Sequence, residues 1–199
     1  MNRLIALALS LTALAFTSAA SAAPEVKLTP STSVVFVGDE FDFFLQGASF
    51  GQTTAGAVID NFTAGQKLSF TFSNTTLELV SVVIDPRWTF VAGTKRGVID
   101  QVAGTLTGLS FGVTPATTDD DFNIATLHMR AVADGTATMT LVSGQFVGKV
   151  AGRAGTAITA GLGQAVLEVS PLVSTVPEPS SWMLFAMGIT AIGLHRRRT

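Results

Sequence analysis

Residues 122–144, FNIATLHMRAVADGTATMTLVSG, contain the clearest secondary-structure pattern of the chain. Small and apolar residues recur at every second position, namely Ala125, Leu127, Met129 and Ala131 before the Asp134-Gly135 pair and Ala137, Met139 and Leu141 after it. A period of two is typical of a β-strand with one buried face. An Asp-Gly pair between two such runs favours a tight turn. The stretch therefore predicts a β-hairpin.

Neighbouring segments show the same alternation. EFDFFLQG, residues 40–47, places Phe41, Phe43 and Leu45 on one side, opposite Glu40 and Asp42, with Phe44 as an apolar exception on the polar side. KLSFTFSN, residues 67–74, places Leu68, Phe70 and Phe72 on one side. LELVSVV, residues 77–83, is apolar enough to predict a strand buried on both faces. These segments indicate several strands with one shared core.

The middle of the chain, residues 23–172, predicts an all-β domain. Many short strands and glycine-rich turns favour an antiparallel β-sandwich or jelly roll. The glycine-rich stretch 144–163 alternates poorly and predicts a looser strand pair or a long hairpin. The 199-residue chain has a net charge of -2 and no cysteine. This composition excludes a basic nucleic-acid footprint, disulfides and cysteine-ligated metals.

The first 22 residues predict an export signal. Arg3 precedes an apolar stretch, and small residues follow it. Ala20-Ser21-Ala22 fits the A-x-A pattern that signal peptidase cleaves, so we expect cleavage between Ala22 and Ala23. The alternative is a membrane anchor, for which the apolar stretch is too short.

Residues 182–195 predict a transmembrane helix after a linker at 173–181. The apolar run from Trp182 to Leu194 spans only about 20 Å as a helix, against a hydrocarbon core of about 30 Å. Trp182 suits one interface, and the basic tail 196–199 can snorkel at the other. The apolar positions are Leu184, Phe185, Ile189, Ile192 and Leu194, and the positive-inside cluster is Arg196, Arg197 and Arg198. This charge places the tail in the cytoplasm and the domain outside.

Val176, Pro177, Glu178 and Pro179 stand immediately before that run. Two prolines favour an extended, exposed strip. The order of Val-Pro-Glu-Pro-Ser, short apolar run and terminal arginines resembles the PEP-CTERM sorting signal of Gram-negative bacteria that make extracellular polysaccharide. The resemblance implies processing by exosortase near the Pro-Glu-Pro motif. It also implies a precursor anchored in the inner membrane and a mature form at the cell surface or outside the cell.

The middle domain resembles the cohesin-like β-sandwich, which is related to some carbohydrate-binding modules. The resemblance lies in Gly38-Asp39 before an early strand, in the run from Leu77 to Val83, and in the run from Ala133 to Met139. It implies the fold. Cohesins bind dockerins, but the sequence identifies no dockerin-binding face here.

Three features of the sequence are candidate sites. His128 lies on the polar side of its strand, without a nucleophile motif, so no catalytic residue is expected. Asp119, Asp120 and Asp121 could hold Ca²⁺, but adjacent side chains point apart, which favours a solvated loop. Trp88 could stack on a sugar ring, although core or rim packing is favoured. No other cofactor and no further metal site is expected.

The sequence therefore predicts a non-enzymatic exported surface or matrix protein associated with extracellular polysaccharide. Exosortase and signal peptidase are the expected processing partners, and polysaccharide or other matrix proteins the expected ligands. The alternatives are a carbohydrate-binding module of the cell envelope and a scaffold-type, protein-binding cohesin.

Overall fold

The computed structural model describes residues 22–51, 53–54, 57–88 and 93–172. The strands within these ranges are β1 Glu25–Pro30, β2 Val35–Phe36, β3 Glu40–Ala48, β4 Thr53–Thr54, β5 Ala57–Phe72, β6 Leu77–Ile84, β7 Val98–Asp100, β8 Thr105–Thr117, β9 Phe122–Ala131, β10 Gly135–Val150, β11 Arg153–Ile158, β12 Gly161–Leu162 and β13 Gln164–Ser170. A 3₁₀ turn, Pro86–Trp88, follows β6. The all-β fold class predicted from the alternation is confirmed.

Two sheets pack face to face. The five-stranded sheet has the order β12-β1-β3-β9-β6, and the eight-stranded sheet has the order β2-β13-β10-β5-β8-β7, with β11 pairing with β10 and β4 with β5. The pairings are antiparallel except for β1 with β12 and β2 with β13. The inward residues of both sheets form one core, because alternation gives each strand a single apolar face.

The predicted hairpin at Asp134-Gly135 is wrong. β9 pairs with β3 and β6 in one sheet, whereas β10 pairs with β13 and β5 in the other. Asp134 therefore lies in a connection between the sheets, and Gly135, with a φ of +126°, begins β10. Both apolar faces point into the same core from opposite sides, which satisfies the alternation without pairing the two strands.

The prediction that residues 77–83 are buried on both faces is also wrong. β6 is an edge strand of the five-stranded sheet, and Val80 and Val83 are each 45% exposed. A register shift between Leu79 and Ser81 marks a bulge at Val80. Only Leu77, Leu79 and Val82 enter the core.

The other predicted strand faces agree with the structure. Phe41, Phe43 and Leu45 of β3 and Leu68, Phe70 and Phe72 of β5 are buried, and Phe44 is 37% exposed on the outer side. In the glycine-rich stretch, Phe146 to Val150 pairs with Ile158 to Arg153, which forms the expected hairpin.

The predicted signal segment up to Ser21, the linker from residue 173, the apolar run and the basic tail lie outside the described residues. Within the described ranges the structure contains no helix with the length and apolar character that a membrane crossing needs.

Candidate functional site

The outer face of the five-stranded sheet presents rows of polar side chains from adjacent strands. At one end of the sheet, Arg130 of β9 lies between Glu40 of β3 and Glu78 of β6. Its Nη2 lies 2.7 Å from Glu40 Oε1, and its Nη1 lies 3.2 Å from Glu78 Oε2. The hydrogen bond with Glu40, and then the charge of Glu78, raise the pKa of Arg130. This triad of one cation and two carboxylates lies at one end of the face.

The next row contains Asp42, His128 and Ser81 on neighbouring strands. His128 Nδ1 lies 2.5 Å from Asp42 Oδ1, which orients the imidazole. A nucleophile would need a hydrogen bond to the other ring nitrogen. Ser81 makes no hydrogen bond with His128, although the two residues are register partners. The Asp42–His128 pair therefore acts as a cross-strand contact in this geometry, without an activated serine.

A polar groove lies at the opposite end of the same face. It is lined by Lys27, Gln46, Gly47, Ala48, Arg87, Asp121, Phe122 and Asn123. Its central contact joins β3 to β9: Gln46 Nε2 donates to Asn123 Oδ1 at 2.8 Å. Lys27 enters from β1, and Arg87 from the 3₁₀ turn that follows β6.

Gly47 shapes this groove. A side chain at residue 47 would collide with the ring of Phe122, which lies directly against the Gly47 backbone. Glycine is therefore required for the ring to cross the end of β3. The Phe122 ring fills the space where a side chain at residue 47 would stand, so Gly47 and this ring together line that part of the groove.

Trp88 is buried beneath the groove, with 0% exposure. It packs between Phe111 and Phe122, with ring centroids 5.2 Å and 5.0 Å away, and its indole N–H donates to the Asn123 carbonyl at 2.5 Å. A ring with no face open to solvent cannot stack on a sugar, so the ligand role weighed for Trp88 is replaced by core packing. Trp88 also supports the guanidinium of Arg87, which lies 5.9 Å from the ring centroid.

The three consecutive aspartates serve different partners. Asp119 pairs with Arg87 at 3.0 Å, and Asp121 accepts the Ser49 N–H at 3.0 Å. The Asp120 carbonyl accepts the Phe50 N–H at 2.9 Å. In the part of the chain that the structure describes, no group of three histidine, aspartate or glutamate side chains is placed to hold a metal ion. The aspartate loop thus fastens the segment around residue 50 and positions Arg87.

Sequence reasoning missed Gln46 and Asn123. Neither belongs to a motif, and they are 77 residues apart. Only the register of β3 with β9, including its shift between Leu45 and Gln46, brings their amides together.

Comparisons with known proteins agree with both resemblances. Solved structures with this fold include a type I cohesin in complex with a dockerin from Clostridium thermocellum, with a TM-score of 0.57 and 14% identity over 75% of this chain and 95% of that chain. A type I cohesin from Pseudobacteroides cellulosolvens has a TM-score of 0.56 and 16% identity, and the match covers 77% of this chain and 96% of that chain. A cohesin module from a family 33 glycoside hydrolase of Clostridium perfringens has a TM-score of 0.55 and 10% identity, and the match covers 75% of this chain and 98% of that chain. The domain thus has a cohesin-like β-sandwich fold.

The C-terminal part of the sequence has a separate match. Residues 175–198 match the PEP-CTERM protein-sorting motif. No curated protein matches the chain. The protein therefore combines a cohesin-like sandwich with a protein-sorting motif.

Proposed function

We propose that this protein is a non-enzymatic surface or matrix protein, exported as a membrane-anchored precursor and processed by exosortase. The match of residues 175–198 to the sorting motif carries this proposal. The matched range includes Pro177-Glu178-Pro179, the apolar run and the three arginines. In a membrane-anchored precursor this order runs from the outside of the membrane to the cytoplasm.

The physical properties of this range support the same path. Trp182 favours the interface, the apolar run favours the bilayer, and three arginines favour the cytoplasm. The Pro-Glu-Pro strip is then presented at the outer boundary, where neither proline has an N–H to pair in regular structure. The Ala20-Ser21-Ala22 pattern supports export by the same route, with signal peptidase as the first processing partner.

The role proposed for the sandwich is binding, in association with extracellular polysaccharide. The fold supports a binding module, since the Clostridium thermocellum relative was solved with a dockerin bound to it. The geometry of the His128 row supports a structural role for this histidine, because His128 Nδ1 contacts Asp42 and Ser81 makes no hydrogen bond with His128.

A protein-binding role, as in a scaffold-type cohesin, is the second candidate. It is favoured by apolar side chains on the outer face of the five-stranded sheet, where Phe44, Val80 and Val83 are exposed. Pull-down with the surface-exposed protein as bait would identify such a partner, and Phe44→Ala should weaken its capture.

Sorting can be tested with a charge-neutralising substitution. In a host with an exosortase, the Glu178→Ala protein should stay in the membrane fraction at full length. The wild-type protein should be processed and released from the membrane fraction. Glu168→Ala is a matched control, because this exposed glutamate lies on β13, outside the sorting motif. Equal release of the Glu178→Ala and wild-type proteins would contradict exosortase processing at this motif.

A further inference from the structure

The paired amides of the polar groove form a small hydrogen-bonding platform. Gln46 Nε2 donates to Asn123 Oδ1, so this hydrogen bond uses the NH₂ group of Gln46 and the carbonyl oxygen of Asn123. The Gln46 carbonyl oxygen and the Asn123 NH₂ group remain as an acceptor and a donor side by side. A sugar hydroxyl both donates and accepts, so two neighbouring hydroxyls fit this platform.

The platform is held from below. The Asn123 backbone carbonyl accepts the indole N–H of buried Trp88, which fixes the position of β9 at the groove. The Phe122 ring packs directly against the Gly47 backbone and so fixes the position of that backbone next to Gln46. Groups that are positioned before binding lose little conformational entropy when a ligand arrives.

The charges around the platform are already matched. Lys27 lies 2.8 Å from Glu25, and this hydrogen bond, with a smaller effect of Asp121 across the groove, raises the pKa of Lys27. Arg87 lies 3.0 Å from Asp119. Since each cation has a carboxylate partner, an anionic ligand would have to displace one of them. The charge pattern therefore favours a neutral ligand with many hydroxyl groups.

The groove also faces away from the end where the chain leaves the sandwich. β13 ends at Ser170, whose carbonyl accepts the Val37 N–H at 3.0 Å, just before the start of β3. The groove lies at the other end of β3, about 20 Å away at roughly 3.3 Å per residue. The sorting motif begins at residue 175, so in the sequence it follows the end of the sandwich that lies opposite the groove.

We propose that this groove binds a neutral saccharide through the side-chain amides of Gln46 and Asn123. The inference rests on the proposed function, because it names the class of extracellular polysaccharide that the sorted domain holds and the site that holds it. Arg87 and Asp121 at the rim supply further hydrogen bonds to hydroxyls.

The test measures binding of the full-length protein, purified in detergent, by isothermal titration calorimetry. The probes are hexamers of β-1,4-linked glucose, of β-1,4-linked N-acetylglucosamine and of β-1,4-linked mannuronic acid. We expect binding of a neutral hexamer and at least about tenfold weaker binding of the acidic one. The double variant Gln46→Ala/Asn123→Ala should weaken neutral binding about tenfold or more, since it removes two hydrogen-bonding groups.

Two further variants separate binding from folding. Asn123→Asp keeps the shape of the side chain but removes its one donor group, so it should weaken binding about fivefold, less than the double variant does. The control His128→Ala/Ser81→Ala alters the same face away from the groove and should bind as wild type. Undiminished binding by the Gln46→Ala/Asn123→Ala protein, tighter binding of the mannuronate hexamer, or no binding of either neutral hexamer would overturn the proposal. None of these outcomes affects C-terminal processing, which is measured separately by mass.

Discussion

Replacing Trp88 tests how the sandwich is built beneath its candidate site. Trp88 is fully buried among Phe62, Phe111 and Phe122. Truncation of a buried tryptophan to alanine costs about 3–5 kcal/mol of unfolding free energy. Loss of the indole donor leaves the Asn123 carbonyl unpaired, at a further cost of about 1–3 kcal/mol. Because whole domains are stable by only about 5–15 kcal/mol, Trp88→Ala should be severely destabilised or unfolded.

Trp88→Phe separates the two contributions. It keeps an aromatic ring in the cluster but loses the N–H, so we expect it to lose about 1–3 kcal/mol, between the wild type and Trp88→Ala. Phe44→Ala is the matched control, because this phenylalanine is 37% exposed on the outer face and should cost far less.

The assay is urea unfolding followed by circular dichroism, with the unfolding free energy extrapolated to water. Fluorescence gives a second readout in a Trp182→Phe background, where Trp88 is the remaining tryptophan. Its emission should be resistant to acrylamide quenching in the folded protein. The buried position would be refuted if Trp88→Ala lowered the unfolding free energy by less than about 1 kcal/mol, or if acrylamide quenched Trp88 fluorescence freely in the folded protein. An exposed Trp88 ring would then be available to stack on a sugar.

Four other substitutions test the corrected strand assignments and the ion cluster. Val82→Asp should unfold the domain because it buries an unpaired charge, whereas Val80→Asp on the exposed side should cost less than about 1 kcal/mol; equal losses in urea unfolding would contradict the one-sided burial of β6. Gly135→Ala should lose about 1–2 kcal/mol by the same measurement, because its φ of +126° disfavours a side chain; an unchanged midpoint would argue against this backbone conformation. Arg130→Ala should lower the urea midpoint at low ionic strength, and the difference should shrink in roughly 1 M salt, since its two glutamate partners are exposed; a difference that persists in salt would contradict a screened surface cluster.

Strand faces could be read from the sequence because alternation is a local property. Phe41, Phe43 and Leu45 are buried for the reason that predicts them: consecutive side chains of a strand point to opposite sides. Strand partners could not be read in the same way. The Asp134-Gly135 pair has the composition of a hairpin turn, but the connection is fastened elsewhere, with the Val132 N–H donating to the Thr76 carbonyl at 2.9 Å.

The candidate groove depends even more on distant pairing. Gln46 and Asn123 meet through the register of two strands, and Trp88 becomes buried through contacts with three separate strands. Of the residues singled out from sequence, Asp121 lines this groove, whereas Trp88 is buried beneath it and Asp119 positions Arg87. The sorting motif was recognisable because its three parts are consecutive in sequence and need no tertiary structure.

The most direct test of the central claim is the intact mass of the protein recovered from the cell surface or medium of a host that contains an exosortase. The proposed function predicts a mature form that begins at Ala23 and lacks the apolar run and the arginines after Pro179. A surface form that retains Arg196, Arg197 and Arg198 would contradict it, and the segment after the prolines would then be an ordinary membrane anchor.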